Sequence, residues 1–185
     1  MEERTGITSF KGNPVTLLGP ELKVGDKAPN FQLVDVDLKA VDLAAFAGKT
    51  KIFCTVPSLD TPVCDTEARH FNQAAADLGA DVVVAVISLD LPFAQKRWCG
   101  AAGIDRVQTL SDYQERSFAQ AYGVLIKELK LLSRSIFVVN ANDVIVHLQH
   151  VPEITTEPDY EAVLKAAKES FSVRQVPADG ICGGY

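Results

Sequence analysis

The 185-residue sequence lacks several features that would point to particular classes of protein. Its longest apolar run, residues 82–87, is far too short to cross a bilayer, and its start has no basic segment followed by a long apolar core, the pattern of a secretory signal. A formal net charge of −6, without clustered lysine or arginine, argues against nucleic acid as the main partner. These absences predict a cytoplasmic protein that binds neither membranes nor nucleic acid.

Cysteine is also scarce, with four residues at Cys54, Cys64, Cys99 and Cys182. Four cysteines are too few for a disulfide scaffold in a chain of this length. None belongs to a Cys-x-x-Cys pair, which disfavours a zinc ribbon and a thioredoxin-type redox motif. In a reducing cytoplasm, a disulfide between two of them is expected to be transient and catalytic rather than structural.

The pattern of apolar residues predicts one α/β domain over residues 1–172. With 47% hydrophobic residues, the chain can bury a sizeable core. It begins with a predicted β-hairpin, strands 7–11 and 15–18 around a turn at Gly12-Asn13-Pro14. Further strands are predicted at 31–36, 51–56, 81–88, 107–110, 134–139 and 144–148, and helices at 64–78, 91–102 (capped by Asp90), 117–122 and 159–171. This alternation predicts a mixed central sheet flanked by helices, and residues 173–185 are expected to form a flexible tail.

The segment from Pro57 to Cys64, PSLDTPVC, is the most informative in the chain. It places Cys64 after a strand and a turn, in the first turn of a helix, where unpaired N–H groups and the helix dipole favour a thiolate. The hydroxyl of Thr61 can lie beside that sulfur, and Pro57 and Pro62 stiffen the turn. The segment therefore predicts a site for sulfur chemistry.

The helix that follows indicates where this thiol lies and what it needs nearby. Cys64 belongs to an apolar stripe that continues through Ala68 and Phe71, which places it at the floor of a shallow recess. Asp65 and Glu67 oppose a negative charge on the sulfur, so a cation must compensate.

Pro-x-x-x-Thr-x-x-Cys, filled here by Pro57, Thr61 and Cys64, resembles the active-site pattern of the peroxiredoxins. The longer string over residues 56–65 is similar to one subgroup, the bacterial thiol peroxidases, which are atypical two-cysteine peroxiredoxins. Further similarities to that subgroup lie at residues 10–15, 97–100 and 133–135. The resemblance spans roughly residues 7–167, and its motifs are specific in combination.

This resemblance implies a thioredoxin-like fold with Cys64 as the peroxidatic and Cys99 as the resolving cysteine of the same chain. It implies that Thr61 and Arg134 orient the thiolate and the peroxide, with Pro57 in support. It further implies reduction of hydrogen peroxide or organic hydroperoxides without metal, haem or flavin, thioredoxin or a similar dithiol as reductant, and a homodimer.

Several alternatives stay open at this point. Cys54 lies inside a predicted strand and is expected to be a small core residue, whereas Cys182 has no role in the family pattern. Cys99 could fill space beside a tryptophan, Arg134 could form a surface ion pair, and Thr61 could cap its helix. Two rival functions are a disulfide oxidoreductase acting on protein thiols and a redox sensor without catalytic turnover.

Overall fold

The computed structural model describes residues 1–172, so the predicted tail at 173–185, including Cys182, lies outside the described residues. The helices are α1 (Pro62–Leu78), α2 (Pro92–Ala102), α3 (Ser117–Ala121) and α4 (Tyr160–Ser172), with a 3-10 helix at Leu43–Phe46. The strands are β1 (Glu3–Phe10), β2 (Asn13–Leu18), β3 (Gln32–Val34), β4 (Ala40–Asp42), β5 (Thr50–Thr55), β6 (Val82–Ser88), β7 (Gln108–Ser111), β8 (Leu125–Ile126), β9 (Ser135–Val139) and β10 (Ile145–His150). In residues 1–172, no helix is long and apolar enough to cross a membrane.

A seven-stranded mixed sheet forms the centre of the molecule, in the order β10-β9-β5-β6-β7-β3-β4. Strands β5, β6 and β7 run parallel, since α1 and α2 carry the chain back between them, and β9 pairs antiparallel with β5. Every residue of β5 is buried, as expected for a strand covered on both faces. The predicted α/β fold with a mixed central sheet flanked by helices is confirmed.

The two faces of this sheet carry separate hydrophobic clusters, because successive side chains of a strand point to opposite sides. In β5, Phe53 points to a cluster rich in aromatic rings, whereas Ile52 and Cys54 point to the other cluster. The second cluster also contains Cys64, Ala68 and Phe71 of α1 together with Val163 and Ala167 of α4. The Cys64 thiol therefore belongs to a packed core on the side of the sheet that α1 and α4 cover.

The N-terminal hairpin is confirmed, with a shorter turn than predicted. Phe10 pairs with Asn13, so the turn consists of Lys11 and Gly12 alone, with φ of 50° and 79°. Two successive residues with positive φ are typical of the tight type I′ turn, whose twist matches that of paired strands. Asn13 and Pro14 therefore belong to β2, which also pairs with β8 in a separate three-stranded sheet.

The short elements β4, β8 and the 3-10 helix were not predicted, and the predicted capping role of Asp90 is wrong. Elements of two to four residues carry too little periodicity to be recognised, and the pairing of the two strands depends on distant partners. The residue that caps α2 is Leu91, and α2 has no side-chain capping bond at its start. The carboxylate of Asp90 instead accepts hydrogen bonds from the loop after β5, where its donors lie closer.

The carboxylate of Glu153 fastens the hairpin to the loop that follows β10. It accepts hydrogen bonds from the backbone N–H groups of Lys11 (3.0 Å) and Gly12 (2.9 Å) and from Ser9 Oγ (2.9 Å). The backbones of Ser9 and Ile154 are also joined, with an N···O distance of 2.9 Å. Because the Ile154 carbonyl binds Arg134, the hairpin supports the surroundings of Cys64 through this loop.

We predict that Glu153→Gln destabilises the fold at neutral pH and flattens its acid sensitivity. The Gly12 N–H, followed by donors from Thr155 and Ser9, lowers the pKa of Glu153 from 4.5 to about 2. A carboxyl whose pKa is depressed on folding contributes stability above its unfolded pKa and loses it as the pH falls toward the folded value. Thermal unfolding followed by circular dichroism should show a lower Tm for the variant at pH 7, with the difference shrinking between pH 4.5 and 2. Glu115→Gln, which changes an exposed carboxylate, is the matched control, and a constant difference at all pH values would contradict the prediction.

Candidate active site

Cys64 is the third residue of α1 and is fully buried. Thr61 precedes the helix in an extended conformation, and Pro62 occupies the first helical position, where its fixed φ suits the helix and its missing N–H costs nothing. The sulfur therefore lies in the first helical turn, as predicted, where unpaired backbone N–H groups favour negative charge.

The guanidinium of Arg134 provides the cation that this sulfur needs. Its Nη2 donates to Cys64 Sγ at 3.1 Å, its Nη1 donates to the carboxylate of Glu67, and its Nε donates to the Ile154 carbonyl at 2.9 Å. Arg134 is only 2% exposed, so it is not the surface ion pair considered from the sequence. Burial tends to lower the pKa of Arg134, but Glu67 and Cys64 outweigh it and raise that pKa above its ordinary value. The guanidinium is therefore a permanent positive charge beside Cys64.

Glu67 pairs with the guanidinium of Arg134, a contact that was not predicted. It follows Cys64 by three residues, so both side chains lie on the same face of α1, and the carboxylate is fully buried against Arg134. Burial raises the pKa of Glu67 above its ordinary value, while the charge of Arg134 acts in the opposite direction. Oε1 of Glu67 has no partner among the described residues. The carboxylate thus holds the guanidinium in place rather than lying free beside the sulfur.

Thr61 and Pro57 lie in the loop between β5 and α1, and the Thr61 hydroxyl points back along that loop. Its Oγ1 donates to the Ser58 carbonyl at 2.9 Å. Thr61 occupies the N-cap position of α1, as the capping alternative expected, but within the described part of the chain its hydroxyl makes no capping hydrogen bond. Because its proton is used by Ser58, the oxygen can still accept a hydrogen bond from an incoming O–H group.

Asp90 is a residue of this site that the sequence analysis placed wrongly. Its Oδ1 accepts from Ser58 Oγ at 2.7 Å, and its Oδ2 accepts from the Leu59 N–H at 2.8 Å. One signal was available: Asp90 follows β6, which runs parallel to β5, and the carboxyl ends of parallel strands meet at one edge of the sheet. Loop residues after two neighbouring strands are therefore expected to meet there.

Cys99 lies on α2 and is partly exposed. Its Sγ is 3.3 Å from Thr109 Oγ1 of β7. Its neighbour Trp98 fastens α2 to α1, because Trp98 Nε1 donates to Asp65 Oδ1 at 3.0 Å. Arg69 adds a second connection, since its Nη1 donates to the carbonyl of Ala102 at 2.9 Å. In residues 1–172 the three cysteines are free thiols, so the structure corresponds to the reduced protein.

Cys54 is fully buried in the middle of β5. Burial, more than the nearby Glu67, raises the pKa of its thiol well above the ordinary range, so Cys54 is an unreactive core residue in this conformation. This position agrees with the interpretation of Cys54 as a small core residue.

The fold and the site together define a thioredoxin-like domain with a buried thiol at a helix start, in contact with a guanidinium. A peroxiredoxin-like protein from Aquifex aeolicus has a similar structure, with a TM-score of 0.84 and 44% identity over 92% of this chain and 99% of that chain. A thiol peroxidase from Chromobacterium violaceum, 23% identical, shares the fold with a TM-score of 0.79 over 90% of this chain and 97% of its own.

Sequence comparison is more specific. The Redoxin family model matches residues 23–164. The thiol peroxidase of Halalkalibacterium halodurans is 54% identical over 163 residues, 88% of this chain and 98% of that protein. The thiol peroxidase of Bacillus subtilis is 54% identical over 160 residues, 86% of this chain and 95% of that protein. The chain therefore belongs to the Redoxin family and, within it, to the peroxiredoxin-type thiol peroxidases.

We predict that Arg134→Lys slows the oxidation of Cys64 by hydrogen peroxide on the order of 100-fold, as for loss of a positioned donor in other active sites. An ammonium keeps the positive charge, but it cannot reach the sulfur, Glu67 and Ile154 with one planar group. Competition kinetics against a peroxide-consuming probe measure the rate constant. Arg106→Lys, which changes an exposed arginine, is the control, and an unchanged rate for Arg134→Lys would show that charge alone suffices.

Proposed function

We propose that this thiol peroxidase reduces hydrogen peroxide and organic hydroperoxides through a Cys64 sulfenic acid and an intrachain Cys64–Cys99 disulfide, which thioredoxin or a similar dithiol reduces. The observation that supports this most is the 3.1 Å contact between Arg134 and the Cys64 sulfur at the start of α1. A cation and a helix start next to one thiol stabilise the nucleophilic form of that thiol. The proposal also keeps the expected cytoplasmic location and the homodimer that the family resemblance implies.

In the first step, the Cys64 thiolate attacks one oxygen of the hydroperoxide and the O–O bond breaks. The sulfur becomes sulfenic acid, and the departing oxygen takes up the proton that the thiol gave up, so the second product is water or an alcohol. Thr61 Oγ1 can accept a hydrogen bond from the O–H of the oxygen that the sulfur attacks. Arg134 and backbone N–H groups stabilise the charge that develops on the departing oxygen.

Alignment must contribute more to this step than ionisation. For cysteines in general, a fall in pKa from about 8.5 to about 6 raises the thiolate fraction at pH 7 about thirtyfold. The same fall lowers nucleophilicity about ten- to twentyfold, so the net gain is only about two- to threefold. Donors and acceptors placed along the breaking O–O bond are therefore required for efficient catalysis.

In the second step, the Cys99 thiol attacks the sulfenic sulfur, water leaves and a disulfide forms. A disulfide needs Cα atoms about 4.4–6.8 Å apart, whereas the axes of packed helices lie about 8–10 Å apart. Helices α1 and α2 are joined by the Trp98–Asp65 hydrogen bond in the reduced protein. Forming the disulfide therefore requires local unwinding, which Gly100 and Gly103 favour, and opening of that bond.

Steady-state turnover with a thioredoxin system tests the proposal as a whole. A peroxidase consumes peroxide continuously in step with dithiol oxidation, and a comparison of several hydroperoxides defines its preferred substrate. A redox sensor would be oxidised rapidly but would turn over slowly. A disulfide oxidoreductase would exchange thiols with protein substrates without needing peroxide.

We predict that Cys64→Ser abolishes peroxide consumption, because a hydroxyl offers almost no anion at neutral pH. In competition kinetics, the rate of peroxide consumption by the variant should be no higher than that of a protein without reactive thiols. Cys54→Ala removes a buried thiol outside the proposed chemistry and should keep wild-type turnover. Near-normal activity in the Cys64 variant would refute the assignment of the nucleophile.

We predict that Cys99→Ser leaves the first oxidation intact but blocks the disulfide, so that sulfenic acid accumulates and overoxidises to sulfinic acid. Mass spectrometry after one equivalent of peroxide should show these species in the variant and a Cys64–Cys99 bond in the wild type. Trp98 is the single tryptophan of the chain, so its fluorescence should change on oxidation of the wild type in a slower phase that the variant lacks. A wild-type disulfide from Cys64 to Cys54 or Cys182 would show that Cys99 is not the partner.

A further inference from the structure

Asp90 lies where β6 ends, at the edge of the sheet from which the Pro57–Thr61 loop also departs. We propose that Asp90 is a positioning residue for peroxide reduction: through Ser58 it orients the Thr61 hydroxyl, without contacting the peroxide or the Cys64 sulfur. This inference rests on the proposed function and goes beyond it by assigning a role to a residue outside the active-site motif.

The carboxylate of Asp90 is surrounded by hydrogen-bond donors. Oδ1 accepts from Ser58 Oγ at 2.7 Å, while Oδ2 accepts from the Leu59 N–H at 2.8 Å and from Ser88 Oγ at 2.7 Å. Bonds from neutral donors to an ionised acceptor are about twice as strong as those between neutral groups. Two of these three donors belong to the loop that carries Thr61, so Asp90 fixes the path of that loop.

The effect on Thr61 passes through one backbone carbonyl. Asp90 holds the side chain of Ser58 and the N–H of Leu59, the two groups that flank the Ser58 carbonyl. That carbonyl accepts the Thr61 hydroxyl proton at 2.9 Å, which sets the rotamer of Thr61. With its proton committed, Thr61 Oγ1 presents lone pairs and acts as an acceptor for the hydroperoxide O–H. A relaxed loop would release this hydroxyl to rotate and to donate elsewhere.

The support behind Asp90 is rigid. Ser88 is fully buried, and its Oγ also accepts from Gln95 Nε2 at 3.1 Å. Gln95 is fully buried too, and the same Nε2 donates to the Leu110 carbonyl at 2.9 Å. Asp90 is thus linked to the sheet and to α2 by groups that do not belong to the loop. Such outer support is what keeps a catalytic group within the narrow limits that its reaction needs.

The carboxylate of Asp90 accepts from all three of its neighbours. An asparagine of the same shape has only one acceptor oxygen. Its NH₂ group loses the bond from Leu59 if it faces that N–H, and if it faces Ser58 it replaces a bond to an ionised acceptor with a weaker bond between neutral groups. The guanidinium of Arg134 reaches Cys64 from β9 and the Ile154 loop and shares no hydrogen bond with Asp90 among the described residues. Loss of the Asp90 contacts is therefore expected to affect the peroxide more than the thiolate.

The test compares two reactions of Cys64 in Asp90→Asn. The second-order rate constant with hydrogen peroxide should fall about 10- to 100-fold, the loss expected from misplacement of a catalytic group. The rate constant with iodoacetamide, which reports the reactive thiolate but has no O–H for Thr61 to accept, should stay within about twofold of wild type. Asp112→Asn is the matched control, since Asp112 also accepts backbone N–H bonds, from Phe118 and Ala119, but at the start of α3. Asp112→Asn should leave the ratio of the two rate constants at its wild-type value.

A double-mutant cycle shows whether the effect passes through Thr61. Thr61→Val removes the acceptor and slows the peroxide reaction by itself; adding Asp90→Asn should then cost less than about twofold more. If Asp90→Asn does not fold, Ser58→Ala removes one bond to the carboxylate, and a selective loss of about threefold or more supports the same proposal. Equal losses in both reactions, or a full additional loss in the Thr61→Val background, would overturn it. If the wild-type protein shows no peroxide turnover, the proposed function is refuted. If the wild type is active and the Asp90→Asn and Ser58→Ala variants react as fast as it does, only the role of Asp90 is refuted.

Discussion

Much of the structure around the active site serves to hold the Arg134 guanidinium against the Cys64 sulfur. A buried guanidinium is tolerable only when its donors are paired, and Glu67, the Ile154 carbonyl and Cys64 use three of its nitrogens. Those partners come from α1 and from the loop after β10, so this one side chain of the β9 region links two distant segments. The N-terminal hairpin secures the loop through Glu153, which explains why a separate small sheet contributes to a site that it does not touch.

The proposed mechanism places two conflicting requirements on the reduced conformation. In that mechanism, peroxide reduction needs the first turn of α1 intact, because that turn provides N–H donors and places Thr61. The proposed disulfide with Cys99 needs part of α1 or α2 to unwind. The contacts between these helices are correspondingly polar and partly exposed, made by Trp98, Asp65 and Arg69, whereas strand β5 of the sheet is buried throughout. Polar contacts at a surface are weak enough to open locally without loss of the core.

Cys54 and Cys64 lie on the same side of the sheet but in different surroundings. Cys54 and Cys64 belong to the same hydrophobic cluster, and both are fully buried. Cys54 lies in the middle of a strand whose backbone groups are all paired, and burial disfavours its ionisation. Cys64 lies at a helix start in direct contact with Arg134. The two thiols are thus equally buried, and they differ in that Cys64 has a cation and the N–H groups of a helix start beside it.

The amino-acid sequence alone determined the α/β class, the hairpin and the helix that begins near Cys64, because these follow from local periodicity and from a motif within ten residues. The assignment of the cation to Arg134 came from the family resemblance, since that residue is distant in sequence. The family was likewise readable from the motif. The tertiary structure decided what depends on contacts between distant segments: the pairing of Glu67 with Arg134, the role of Asp90 in the loop, and the short strands β4 and β8. A charged residue near a helix start looks the same in sequence whether it caps the helix, opposes the thiolate or holds a loop. Its role depends on which hydrogen-bond donors lie nearest to it in the folded chain. Only the packing of the strands and helices brings those donors and the charged residue together.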